Sequence, residues 1–498
     1  MSPFWRNFWL AFALSLLLTA ALMWLDGQNL LSSEFHFVGA KGMIAAQGPD
    51  PRLSAIGFAF PALLIYVTML VGSPITTQVL LVIGLIWFMT WLVEQLPVSR
   101  LWRGVILLAL LLNPAFWVMV LTSPTWTAMS LFLGLSVLLY WHLVQPRDTQ
   151  YPLSVNLVLL GLTLAPLMLL RYECWWLVPV FGLLGWFVLK DPHPPLKLTV
   201  VLVTIFMPII AILGFLYVNW LIEGNPFYFL EAAGNGLRWP GMGVWLESAQ
   251  GLDALADSGT WLGQTLPVYY LLAGLVLWQS RDRWLARSLL LVLPILLMTI
   301  MRWQGNFLSQ ISSAGAFLIL VPITLLQVRE CRMYHLIPVG FLLGISLYST
   351  LHCLQTQRLM PEEQLVWRYL TGKTGVLSSP VLRWRQQQIA QQEIADILFQ
   401  RLRPGQRILL DDTVNFSFIY LLQDSRRFVL PHQYEFNLAL SRPEDVVDYI
   451  LVRRETTLEP LSDQIFVDEP SLQKRFGSFV GVASNDFYQL FQRVSGER

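Results

Sequence analysis

Eleven apolar runs dictate what this chain can become. They lie near residues 8–25, 75–94, 104–121, 126–144, 153–170, 174–189, 198–222, 264–279, 287–302, 311–328 and 335–353. Runs of this length suit a crossing of about 30 Å of hydrocarbon. Backbone inside lipid must satisfy its own hydrogen bonds, so such runs fold as helices. Composition agrees: 55% hydrophobic and 13% charged residues exclude a soluble globular protein. The expected fold is an α-helical polytopic membrane protein with about 11 transmembrane helices. A net charge of +1 and the lack of any basic run give no sign of a nucleic-acid partner. Cys174, Cys331 and Cys353 are scattered, so neither a disulfide framework nor a zinc site follows. The first run lacks a small-residue cleavage site and is taken as a retained span rather than a signal peptide.

A further run, Gly57 to Gly72, is short and holds Pro61. Charge decides how to treat it. If it does not cross, then Arg6, Arg100, Arg103, Arg147, Lys190, Lys197, Arg281, Arg283, Arg287, Arg329 and Arg332 share one side. The opposite short loops then hold Lys41, Arg52, Arg171, Arg238 and Arg302. That asymmetry obeys the positive-inside rule, and counting the run as a crossing destroys it. The expectation is a cytoplasmic N-terminus. The loops 26–74 and 223–263 lie outside, as does everything after about Gln355.

Residues 1–354 are thus expected to form the membrane domain and 355–498 a small extracytoplasmic α/β domain. In the tail, Ile389, Ile394, Ile397, Leu398 and Leu402 fall on one face of a helix over 388–402. Strands are expected at 407–410, 428–430 and 448–452, with a helix over 415–423. Residues 480–483 and 487–493 flank Ser484-Asn485-Asp486 as a hairpin. Asp411-Asp412 closes the first strand, where acids usually form turns.

Ionisable residues are costly against a hydrophobic bundle, which makes them candidates for function. The opening loop, Ser33 to Leu63, carries Glu34, His36, Lys41, Asp50 and Arg52. Arg171-Tyr172-Glu173 interrupts two apolar runs at an outer turn, and Arg302 closes a later span. Each has a plainer role available. Glu34 suits a helix N-terminus, His36 a packed core or a lipid head group, Arg171 with Glu173 an interfacial ion pair, and Arg302 a snorkelling side chain.

The order of these features resembles the GT-C superfamily of polyprenyl-phosphate-sugar-dependent glycosyltransferases, of the dolichyl-phosphate-mannose mannosyltransferase-like type. The resemblance rests on one span followed by the loop Glu34–Leu63, which opens on an acid. It extends to LNPAFWVMVLTSPT at 112–125, LLRYECWWLVP at 169–179 and NWLIEGNPFYFL at 219–230. It covers about the first 350 residues, and the ordered series rather than any one motif carries it. It implies inverting transfer of a sugar from a polyprenyl-phosphate donor to a glycan, lipid or protein acceptor at the outer membrane face. Glu34 is then the carboxylate that takes the acceptor proton. His36, Arg171, Tyr172, Glu173 and Arg302 are then the substrate-binding set, with cations facing the departing phosphate. Need for a divalent metal stays open, as does a register that puts the family acid on Ser32 or Ser33. Two departures stand out. Thr122-Ser123-Pro124-Thr125 occupies the turn where relatives carry a second acid, and Ser313-Ala314 stands nine residues before Pro322 where relatives carry Arg-Tyr. These losses also fit a non-catalytic relative that binds a lipid-linked glycan or scaffolds a partner. A transporter is disfavoured, because mid-span ionisable residues are almost absent.

Overall fold

A computed structural model of the chain describes residues 3–48, 60–144, 153–187, 193–231, 246–247, 251–279, 284–304, 307–308, 311–328, 333–356, 360–372, 379–454 and 478–494. Asp50, Arg52, Arg147, Lys190, Arg238, Arg281, Arg283, Arg329, Cys331, Arg332 and the start of the run at Gly57 lie outside the described residues. The described part of each of the eleven apolar runs falls on one helix or on two successive ones. Among the described residues six helices are long and apolar enough to cross a membrane, or eight if two bent pairs each count once. The other three runs differ in form. Leu177–Trp186 spans only 10 residues, and Ile311–Phe317 and Leu320–Gln327 divide one run. Trp284–Trp303 is a single helix with Arg287 and Arg302 near its ends.

Local chemistry explains the breaks. In the first bent pair Asn113 accepts a hydrogen bond from the Ala115 amide and Pro114 opens the next helix, giving a 48° bend. A proline has no amide to donate to the preceding turn, so the helix restarts there. Pro267 does the same after Gly251–Thr265, where the bend is 105°. The short run near Pro61 folds as Ala62–Val71, 10 residues. At about 15 Å it falls short of the hydrocarbon thickness. It ends on Gly72, whose φ of +84° only glycine adopts without strain.

The chain divides into two compact units. The first comprises Met1–Leu22, Gln78–Leu216 and Trp245–Gly372. Its helices pack through polar ties as well as apolar faces: Gln78 Nε2 donates to Val120 O at 2.6 Å and to Thr127 Oγ1 at 3.0 Å. Helix Ile311–Phe317 lies so close to Pro114–Thr122 that a Cβ on Gly315 would sit 2.4 Å from Ala115 O. Strands β1 (Leu246–Glu247) and β2 (Phe307–Leu308) form a short antiparallel pair in this unit.

The second unit comprises Met23–Thr77, Tyr217–Val244 and Lys373–Arg498. Its sheet is built from β3 (Ile408–Leu409), β4 (Phe428–Val429), β5 (Tyr449–Arg453), β6 (Phe479–Ser484) and β7 (Tyr488–Arg493), in the order β4-β3-β5-β7-β6. β3 runs parallel to β4 and β5, while β7 is antiparallel to β5 and β6. Leu409, Val429, Ile450, Val452 and Phe479 join Phe436, Ala439 and Val447 in one buried core. The expected small α/β layer is present. Its helix near 388–402 begins earlier, at Ser379, because Arg383-Trp384-Arg385-Gln386 hides the apolar period at that end. Helix Ser33–Gln47, the first part of the opening loop, packs against the tail helix Asp412–Leu422.

Candidate functional site

Glu34 and His36 belong to the second unit; Arg171, Tyr172, Glu173 and Arg302 belong to the first. In the second unit, Ser32 caps helix Ser33–Gln47 in an extended conformation and Glu34 sits in its first turn. A carboxylate there faces the positive end of the helix dipole. Glu34 is half-buried, while His36 is fully enclosed. The His36 ring stacks on Tyr420 with centroids 4.8 Å apart and planes at 24°. Burial pushes its pKa down to about 4, so the imidazole is neutral at physiological pH. That is the packing role set beside ligand contact in the sequence.

One turn further on, Lys41 Nζ lies 2.6 Å from Asp412 Oδ2, with both side chains nearly buried. Burial alone would raise the Asp412 pKa. Lys41, His432 and local hydrogen bonds outweigh burial and hold the carboxyl below its usual range. His432 is pushed down to about 4 by burial. Asp411-Asp412 thus does more than form a turn, which its position after a strand could not disclose.

In the first unit, helix Leu153–Leu170 ends and Arg171 adopts an extended conformation ahead of a tight turn at Tyr172–Trp176. This brings Arg171 back on its neighbour: Nε meets Glu173 Oε2 at 3.2 Å and Nη2 meets Oε1 at 2.9 Å. Glu173 is fully buried. The guanidinium also stacks over Trp126, 5.6 Å from its centroid, and Trp126 meets Phe317 edge-on at 6.3 Å. Tyr172 is half-buried at the start of the turn. Helix Trp284–Trp303, which ends in Arg302, packs against this same turn. The buried Arg302 approaches the exposed Asp257 carboxylate at 3.8 Å.

Glu363 stands out in this unit without having been singled out in the sequence. Its carboxylate accepts from the amides of Ile311 (2.9 Å) and Ser312 (3.0 Å) and from Ser312 Oγ (2.6 Å). It therefore seals the start of helix Ile311–Phe317, next to Ser313. Burial pushes its pKa up to about 7, against the lowering pull of those three donors. The only signal available was Pro361-Glu362-Glu363, an ordinary helix opening. No group of three or more His, Cys, Asp or Glu able to hold a metal occurs among the described residues.

No protein-family profile matches the chain, and no curated protein matches it in sequence. Solved structures do share its fold. The crystal structure of ArnT from Cupriavidus metallidurans bound to undecaprenyl phosphate aligns over 98% of this chain and 99% of that one, with a TM-score of 0.56 and 12% identity. The cryo-EM structure of the arabinofuranosyltransferase AftD from Mycobacteria covers 100% of this chain and 40% of that one, at a TM-score of 0.46 and 13% identity. The likeness to ArnT spans nearly the whole of both chains. The chain is a multi-pass membrane protein that shares the fold of ArnT.

Proposed function

We propose that this protein moves a sugar from a polyprenyl-phosphate donor to an acceptor hydroxyl, with inversion, at the outer face of a bacterial inner membrane. The end-to-end likeness to a structure that holds undecaprenyl phosphate is the observation that carries this reading. Glu34, in the first turn of a helix near the start of the chain, is the base that takes the acceptor proton. Arg171 and Arg302 are the cations for the departing phosphate, with Tyr172 and Glu173 beside Arg171, and His36 completes the substrate-binding set from the helix that bears Glu34. The fork of Arg171 is engaged by Glu173, so that pair carries no net charge. Arg302 meets its acid at 3.8 Å, and it is the stronger partner for a phosphate. Turnover of a polyprenyl-phosphate-linked sugar by the Glu34→Gln variant is the test. A large loss of turnover with donor binding kept supports the role; full activity sinks it.

A second reading keeps the fold and drops the chemistry. The buried run Thr122-Ser123-Pro124-Thr125 offers no carboxylate, which favours a protein that binds a lipid-linked glycan without transferring it. Donor binding without turnover by the unaltered protein would select that reading. For orientation, residues 1–354 form the membrane domain and 355–498 an outer domain. Engineered cysteines at Trp284 and Arg454, both exposed, are expected to label from opposite sides.

A further inference from the structure

The helix that bears Glu34 is held by the far end of the chain, and the ties are dense. Arg385 Nη1 donates to Asn29 O at 3.1 Å, and Gln388 Nε2 donates to Leu31 O at 3.3 Å. Tyr420 stacks on His36, and its hydroxyl meets Asp26 Oδ1 at 3.3 Å. Gly39 lies so near that a Cβ there would come within 2.6 Å of the Tyr420 ring. Phe37 meets Phe416 edge-on at 5.4 Å, and Ser425 Oγ donates to Met43 O at 3.2 Å. Glu34 sits between the ties at Leu31 and His36.

The Lys41–Asp412 pair differs from these contacts. Asp412 follows β3, and His432 follows the parallel neighbour β4. The pair therefore occupies the carboxyl edge of the parallel strands, where α/β domains commonly place their ligands. Here a lysine from the opening loop fills that position. A buried ion pair adds little net stability over apolar packing of the same volume, and its best-attested use is to fix register. Phe37 and Lys41 are one helical turn apart and face Phe416 and Asp412, so a slip of one residue would break both contacts.

We propose that Asp412 is a positioning residue for Glu34: by pinning Lys41 it fixes the rotation and register of helix Ser33–Gln47, and the terminal domain thereby aligns the base. This rests on the reading of Glu34 given above. A misplacement of about 1 Å at a reacting group costs up to a hundredfold in rate, so a pin seven residues from the base on the same helix, about 10 Å at about 1.5 Å per residue, has leverage.

The test replaces the pair by Lys41→Met with Asp412→Leu, which keeps volume and removes charge. Spin labels at the exposed positions Gln47 and Asp445 report the helix against the terminal domain. A positioning role predicts an unchanged melting temperature, a broadened or shifted label distance, and kcat lowered at least roughly tenfold with donor KM kept. Retention of the charged pair in Asp412→Glu should restore a narrow distance and most of kcat. An unchanged distance distribution in the apolar variant overturns the pin. If instead the distance changes while Glu34→Gln is fully active, the pin holds and the assignment of Glu34 fails. Should the apolar variant not fold, Lys41→Arg, which keeps the charge but changes its geometry, is read by the same two signals.

Discussion

The two units hold buried charge in opposite ways. In the first, Arg171 pairs with Glu173, two residues away, and the turn that contains both makes the pair almost automatically. In the second, Lys41 pairs with Asp412 across 371 positions, and the fold must be complete before the partners meet. A local pair neutralises charge wherever its segment goes. A distant pair carries information about which surfaces belong together. The units' most deeply buried shifted groups also answer protons with opposite sign, Glu363 in the first against His36 and His432 in the second. The less buried Asp26 and Glu223 carboxyls of the second unit are raised and pull the other way.

The largest expected effect comes from breaking the distant pair. Asp412→Ala leaves an ammonium buried without its partner, a cost of about 3–5 kcal/mol. Hydrogen exchange is expected to rise across 408–430 and across the helix Ser33–Gln47 while Ile311–Gln327 keeps its protection. Uniform loosening of both units would erase the contrast.

Acidity gives the next effect. Glu363 is raised from 4.5 to about 7 in the fold, so the unfolded chain releases that proton first. Stability of the first unit is therefore lost as pH rises from about 4.5 to 7, by about 3 kcal/mol. His36 is lowered from 6.5 to about 4, so the unfolded chain takes up the proton first. Stability of the second unit is lost as pH falls from about 6.5 to 4, by about 3 kcal/mol. His432 adds in the same direction, and the depressed Asp412 loses its contribution as pH falls below 3.8. Urea unfolding followed by probes in each unit should show opposite slopes between pH 5 and 7. Glu363→Gln should flatten the first slope alone.

Smaller differences sharpen the comparison within the proposed site. Arg302→Ala is expected to weaken binding of a polyprenyl phosphate by about 1.5–3 kcal/mol. Arg171→Ala should weaken it less, because Glu173 engages that guanidinium in a bidentate pair. Equal losses, read by titration with the lipid phosphate, would refute the ranking. Smallest are two glycine substitutions at close contacts. Gly315→Ala meets the backbone oxygen of Ala115, which cannot turn aside, whereas Gly39→Ala meets the Tyr420 ring. Overpacking costs about 1–3 kcal/mol, with Gly315→Ala expected at the upper end and Gly39→Ala at the lower.

Much of the fold was legible because it follows from one-dimensional patterns. Apolar length marks a membrane helix, and the alternating strands and helices after Gln388 marked the α/β tail. Glu34 was legible as an acid out of place among apolar spans. Glu363 was not, because Pro-Glu-Glu reads as a helix start, and only the approach of the Ile311 and Ser312 amides from 52 and 51 residues away gives it a second role. Asp412 was hidden for the same reason: its sequence neighbours explain a turn, and its partner lies near the other end of the chain. The early end of helix Ser379–Arg401 escaped because polar residues there break the apolar period.

The wide separation of Lys41 from Asp412 also sets a timetable for biogenesis. Synthesis at about 5–20 residues per second leaves the helix Ser33–Gln47 waiting on the order of 20–70 s for its partner. Throughout that interval its buried face, with Phe37 and His36, lacks its native cover, while the intervening segments enter the bilayer. Ribosome-attached chains stopped before residue 379 should therefore recruit holding factors to the opening loop, and chains extended past residue 430 should release them.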